Sequence, residues 1–96
     1  MAFVQQVPRL FNRQNIEAIR PGQFGVYGIF RNGQWIYVGK GDIRQRLLAH
    51  FDGDNQYIIA SGPTYFVDEL CSDLMISIRE KQLILELRPS CNQKVG

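Results

Sequence analysis

A single histidine and two cysteines are the only imidazole and thiols in this 96-residue chain. The cysteines, Cys71 and Cys91, form no C-x-x-C pair, which argues against a zinc site. Two lone thiols also fit a reducing compartment better than a disulfide scaffold, which small secreted domains build from many cysteines. The opening MAFVQQVPRLF lacks both the cationic start and the apolar run of a signal peptide. Nowhere does an apolar stretch approach the roughly 20 residues that span a bilayer. These absences lead us to expect a cytoplasmic protein with no membrane contact. Net charge is scarce too: +2, with an isoelectric point near 8.7, permits nucleic-acid binding without requiring it. What is present, 45% hydrophobic and 21% charged residues, suffices for one compact core and leaves no length for a second domain.

Patterning divides the chain as follows. Residues 1 to 11 read as an irregular arm. NRQNIEAIR follows as a short helix that Asn12 can cap and Pro21-Gly22 closes. Residues 24 to 30 and 34 to 39, rich in aromatic and β-branched side chains, predict a hairpin. In GDIRQRLLAHF, Asp42 is a good N-cap, and Ile43, Leu47, Leu48 and Phe51 recur at helical spacing. DGDN breaks that helix, and NQYIIAS adds one or two turns before Gly62-Pro63. TYFVDELC reads as a third strand. SDLMISIREKQLILEL is the longest helix, capped by Ser72 or Asp73 and ended at Arg88-Pro89. The order predicts a small α+β domain on an antiparallel sheet.

The hairpin segment GVYGIFRNGQWIYVGKG repeats one pattern, Gly25-Val26-Tyr27 and Tyr37-Val38-Gly39, on either side of Asn32-Gly33. A two-residue Asn32-Gly33 turn pairs Tyr27 with Val38 and leaves the tyrosines on opposite faces. A three-residue Arg31-Asn32-Gly33 loop, with Gly33 left-handed, sets Tyr27 directly opposite Tyr37. Their rings then share a face with Ile29 and Trp35. We expect the second register. Gly39 beside the two phenols would let backbone approach a ligand, although a core aromatic pair is the plainer reading of the motif.

The flanking helices add chemistry. Arg46 and His50, four apart, share a helix face at the edge of the apolar stripe. Lys40 precedes that helix, whose N-terminus favours anions. On the last helix, Glu80 falls on the arc of Ile76, Leu83, Ile84 and Leu87, while Glu86 lies with Arg79 and Gln82 on the polar side. A carboxylate among aliphatic neighbours is costly unless paired or bound to metal. Glu80 therefore reads as half of a salt bridge, with Arg46 as a partner, or as a ligand to a hydrated divalent ion.

Taken in order, these residues resemble the GIY-YIG nuclease superfamily. The match runs from Gly25-Val26-Tyr27 and Tyr37-Val38-Gly39 through Lys40, Arg46-Leu47, His50 and Glu80 to LRPSCN, where Arg88, Pro89 and Asn92 fit the closing Pro-x-x-Asn. It spans about residues 24 to 92. Within the superfamily the motifs look most like the N-terminal nuclease module of bacterial excision-repair incision enzymes. The resemblance implies three antiparallel strands flanked by helices, with residues 1–96 forming a single domain: arm and helix over 1–23, nuclease core over 24–92.

It also implies one-metal phosphodiester hydrolysis. Tyr27, Tyr37, Arg46, His50 and Glu80 would be the catalytic set. Glu80 would bind one Mg²⁺ or Mn²⁺, Tyr27 would take a proton from the attacking water, and His50 would assist that transfer. Tyr37 and Lys40 would orient water and phosphate, Lys40 also favouring tyrosinate. Arg46 would stabilise phosphoryl charge. Gly39, Lys40, Arg44 and Asn92 would contact substrate, Asn92 also holding the rim of the site or Glu80 itself, and Lys94 would add a phosphate contact. The expected substrate is nucleic acid, DNA in preference to RNA, and a partner protein or a homodimer could supply targeting. The alternative is a non-catalytic module of the same fold that binds nucleic acid or protein. The Lys40–Arg46 spacing is one residue shorter than in the repair module, and the His50–Glu80 segment is short as well. Either could displace Arg46 or narrow the substrate groove. Arg44 falls on the apolar arc of its helix, where only snorkelling accounts for it.

Overall fold

The computed structural model describes residues 3–93. Its elements are β1 (Arg9–Leu10), α1 (Arg13–Glu17), β2 (Phe24–Arg31), β3 (Gln34–Asp42), α2 (Ile43–Phe51), α3 (Gln56–Ala60), β4 (Tyr65–Leu70), α4 (Ile76–Leu87) and a 3-10 turn, Ser90–Gln93. The strands form one sheet in the order β1-β4-β2-β3, with every pairing antiparallel. No helix among the described residues is long and apolar enough to cross a membrane.

The sequence predicts three strands, and the sheet has four. The fourth comes from the end of the arm, which is irregular over residues 3–8 as expected and becomes a strand only at Arg9–Leu10. Arg9 and Leu10 pair with Phe66 and Tyr65, which extends the sheet beyond β4. Upstream, the Gln6 side chain imitates a strand: its Nε2 donates to the Asp68 carbonyl at 2.6 Å, and its Oε1 accepts from the Asp68 N–H at 3.1 Å. Arg9 adds an ion pair to the Asp68 carboxylate at 2.6 Å. A two-residue strand is too short to show an alternating pattern. The unpaired edge of β4, which must find partners, selects it.

The hairpin also departs from expectation. Its turn is the two-residue Asn32-Gly33, with positive φ at both (49° and 78°), and Arg31 pairs with Gln34. Asn-Gly is the favoured sequence for that turn. A β-bulge then inserts Ile36 between the Phe30–Trp35 and Ile29–Tyr37 pairs. Beyond it Tyr27 pairs with Gly39, not Tyr37, yet both tyrosines lie on one face, with ring centroids 6.3 Å apart. The bulge restores the shared face that the tight turn alone would forbid. Trp35, before the bulge, goes to the other face, where it stacks on Phe3 and lies tilted against Phe30, with centroids at 5.4 and 4.9 Å.

Helices cover both faces, so β2 is buried from Gly25 to Ile29. On one face Tyr27, Ile29, Ile36 and Phe66 pack with Ile16, Ile43, Leu47 and Ile58 of the first three helices. On the other, Val26 and Val38 pack with Leu83, Ile76, Ile84 and Leu87 of α4. Asn12, Asp42 and Asn55 cap α1, α2 and α3 through their side chains, each such cap contributing about 1 kcal/mol. The expected Ser72 or Asp73 cap is not used. Helix α4 begins at Ile76 after a turn, its N-cap Met75 has no side-chain bond, and only the Ser72 carbonyl receives the Ile76 N–H.

Candidate active site

The candidate residues fall into two groups on opposite faces of the sheet, which meet at the edge strand β3. Tyr27 and Tyr37 lie on the α2 side. Helix α2 directs Arg46 and His50 back at them from one face, four residues apart. His50 is 2% exposed, and its Nε2 lies 2.7 Å from the Tyr27 hydroxyl. Its ring also packs edge-on against Tyr37, centroids 5.0 Å apart. The Arg46 guanidinium lies near enough to the same Tyr27 phenol for its charge to favour the ionised form.

Burial pushes the Tyr27 pKa well above its ordinary value, the neighbouring Tyr37 adds to this, and Arg46 only partly offsets it. In the protein by itself the expected tyrosinate is thus replaced by a neutral phenol. Tyr37 is raised too, first by burial and then by the charge of Glu80. His50 is lowered, chiefly by burial, although the Asp54 carboxylate pulls it back up. A neutral imidazole facing a phenol O–H is an acceptor, and Tyr27 is the donor.

Asp54 is not marked as a site residue by the sequence pattern. Its Oδ1 lies 2.8 Å from His50 Nδ1 and its Oδ2 3.4 Å from Arg46. The residue sits in DGDN, where the pattern shows only a helix stop. Gly53, at φ 91°, turns the chain so that the Asp54 N–H bonds the Ala49 carbonyl and the carboxylate swings back over α2. The available signal was the spacing: Asp54 follows His50 by four residues.

On the α4 face, Lys40 Nζ donates to Ser77 Oγ at 2.7 Å and stands 3.8 Å from Glu80 Oε1. Lys40, not Arg46, is the cation beside Glu80. Glu80 accepts no hydrogen bond among the described residues, and burial raises its pKa while Lys40 draws it down. The described residues hold no cluster of three or more His, Cys, Asp or Glu. An ion here would be held by one protein carboxylate and completed by water and substrate oxygens. That donor set suits Mg²⁺ or Mn²⁺. Tyr37, on the edge strand, feels the charge of Glu80 from one side and packs against the His50 ring on the other.

The remaining expected residues are placed as follows. Gly39 lies under the Tyr27 ring: a Cβ there would stand 2.3 Å from the hydroxyl. The missing side chain makes room for the phenol, so Gly39→Ala is expected to destabilise the fold by about 1–3 kcal/mol, as read by thermal melting. An unchanged melting temperature would mean that the phenol can move aside freely. Asn92 spends both halves of its amide on Val38, accepting from the N–H at 2.7 Å and donating to the carbonyl at 2.9 Å. It seals the free edge of β3 and does not contact Glu80. Arg44 is partly buried, and its Nε is enclosed without a hydrogen-bond partner. Arg79, expected on the polar side, is partly buried and pairs with Glu69 at 2.7 Å. Lys94 lies outside the described residues.

The fold is that of the GIY-YIG endonuclease domains, as the motifs imply. Solved structures similar to this chain include the GIY-YIG N-terminal endonuclease domain of UvrC from Thermotoga maritima in three forms. A tyrosine-to-phenylalanine variant bound to its catalytic divalent cation is 24% identical, with a TM-score of 0.71, over 82% of this chain and 91% of that one. The magnesium-bound domain is 22% identical, with a TM-score of 0.69, over 81% of this chain and 96% of that one. An asparagine-to-alanine variant, also cation-bound, is 22% identical, with a TM-score of 0.69, over 81% and 94%. No family model and no curated protein matches the chain.

Proposed function

We propose that this protein is a metal-dependent endonuclease that hydrolyses phosphodiester bonds of nucleic acid, DNA in preference to RNA. The observation that carries the reading is the convergence at β3 of the Tyr27–His50 hydrogen bond and the Arg46 guanidinium with Lys40 and Glu80. A scaffold has no need of an under-coordinated carboxylate across the edge strand from a phenol–imidazole relay. The likeness to the UvrC endonuclease domain supports the same assignment and favours a role in DNA repair within the cytoplasm.

In this reading Glu80 holds one Mg²⁺ or Mn²⁺, which when bound neutralises charge on the phosphodiester oxygens. Tyr27 accepts a proton from the attacking water as it passes its own to His50 Nε2. A phenol of raised pKa is a poor base if it must first ionise, whereas handing its proton on avoids a free tyrosinate. Arg46 steadies the phenol oxygen and the phosphoryl charge, and Tyr37 orients the water. Lys40 and Arg44 bind phosphates.

Supercoiled plasmid incubated with the protein and Mg²⁺ or Mn²⁺ should be nicked, and chelator should stop it. Three cations near the site imply that the logarithm of DNA affinity falls against that of salt with a slope of about −0.9 per phosphate neutralised. Binding that salt does not weaken, or its absence for both DNA and RNA, would favour a protein-binding module of the same fold.

A further inference from the structure

We infer that Asp54 is the positioning residue of the site: it fixes the tautomer of His50 so that Nε2 can take the Tyr27 proton. The inference rests on the nuclease reading for its catalytic consequence, but the tautomer can be observed without it.

The geometry leaves one arrangement for neutral His50. The Asp54 carboxylate can only accept, so at 2.8 Å the proton between Asp54 Oδ1 and the imidazole resides on Nδ1. Nε2 is then bare and accepts from the Tyr27 hydroxyl at 2.7 Å. With its hydrogen committed inward, the phenol oxygen has lone pairs for Arg46 and for an incoming water O–H. The proton sequence balances. The water proton goes to the Tyr27 oxygen as the Tyr27 proton goes to His50 Nε2, and the resulting imidazolium is stabilised by the Asp54 carboxylate.

The groups facing His50 agree with this assignment. Tyr27 and Tyr37 approach from β2 and β3 as neutral phenols, Arg46 lies one turn back on α2, and Asp54 supplies the negative charge. Asp54 also links the two candidate groups of α2, with Oδ1 on His50 and Oδ2 on Arg46.

The decisive variant is Asp54→Asn. An amide has one acceptor, and two donors, His50 Nδ1–H and the Arg46 guanidinium, compete for it. The cation wins, the amide NH₂ turns to His50, and Nδ1 becomes the acceptor. Nε2 then carries the proton and donates to Tyr27, so the phenol can no longer pass its proton inward. Asp54 is 37% exposed, so its replacement should leave the fold and DNA binding in place.

Long-range proton–nitrogen NMR reads the ring directly, and the chain has one histidine, so the assignment is unambiguous. Wild type should show Nδ1 protonated and Nε2 bare at neutral pH, Asp54→Asn the reverse. Plasmid nicking should fall at least about 100-fold in Asp54→Asn with DNA affinity unchanged. Asp52→Asn, two residues away, should nick like wild type. A protonated Nε2 in wild type, or an unswitched ring in an Asp54→Asn variant that cuts within a few-fold of wild type, overturns the proposal. A wild type with the expected tautomer that cuts nothing refutes the nuclease reading instead and leaves the tautomer assignment standing.

Discussion

Glu80→Gln is expected to abolish plasmid nicking while the protein stays folded and still binds DNA. The amide keeps the shape of the carboxylate and removes the charge that a divalent ion needs. Two observations set the stability side. Glu80 is partly buried, 23% exposed, and its only ion-pair partner among the described residues is Lys40 at 3.8 Å. Burial raises its pKa, so the folded chain holds the Glu80 proton more tightly than the unfolded chain does. Stability from this group is therefore lost as pH climbs above the ordinary carboxylate value of about 4.3. Neutral glutamine escapes that loss, and at neutral pH the variant should melt no lower than wild type. Glu86→Gln, on the exposed flank of α4, should nick normally and shift stability by less than about 0.5 kcal/mol. Had Glu80 been the buried half of a salt bridge, its removal would cost roughly 3–5 kcal/mol. A Glu80→Gln protein that unfolds, or cuts like wild type, excludes the metal-ligand role.

Tyr27→Phe is expected to lower cleavage at least about 100-fold and to destabilise the fold by about 1–3 kcal/mol, because His50 Nε2 is left buried without its donor. Tyr37→Phe should be milder on both counts. Tyr37 is half-buried at the sheet edge and touches His50 through its ring, not its hydroxyl. Melting curves and nicking rates for the two variants give the comparison, and the reverse order would transfer the proton-accepting role to Tyr37. Wild-type activity should persist to lower pH than a free imidazole would allow, since burial lowers the His50 pKa. Stability follows the same sign. As pH falls below about 6.5 the unfolded chain takes up a proton that the folded chain resists, so the fold weakens there.

Much of this was legible locally. Helix spacing placed Ile43 and Leu47 inward, and it set Arg46 and His50 on one face and Glu80 on the arc of Leu83. The caps Asn12 and Asp42 were readable because a short acceptor side chain and a free backbone N–H are neighbours in sequence. The one cap that failed, at α4, failed because the chain after β4 first makes a turn against the sheet, and helical periodicity cannot report that. The hairpin shows the same division. Asn-Gly dictated the tight turn, yet the tyrosines reached one face only through the Ile36 bulge, which exists because Ile36 and Tyr37 both pack toward the α2 core.

The candidate residues and the strands and helices that carry them were thus legible in the sequence alone, through short-range sterics and hydrophobic period. Long-range packing decided the rest. It drew Arg9–Leu10 onto β4 as a fourth strand, gave Lys40 rather than Arg46 to Glu80, and spent Asn92 on Val38. Each of these contacts joins groups whose proximity depends on how the edge strand and two faces of helices close around one another. No local pattern encodes that closure, because the free energy that selects it comes from burying distant surfaces together and satisfying the polar groups enclosed with them.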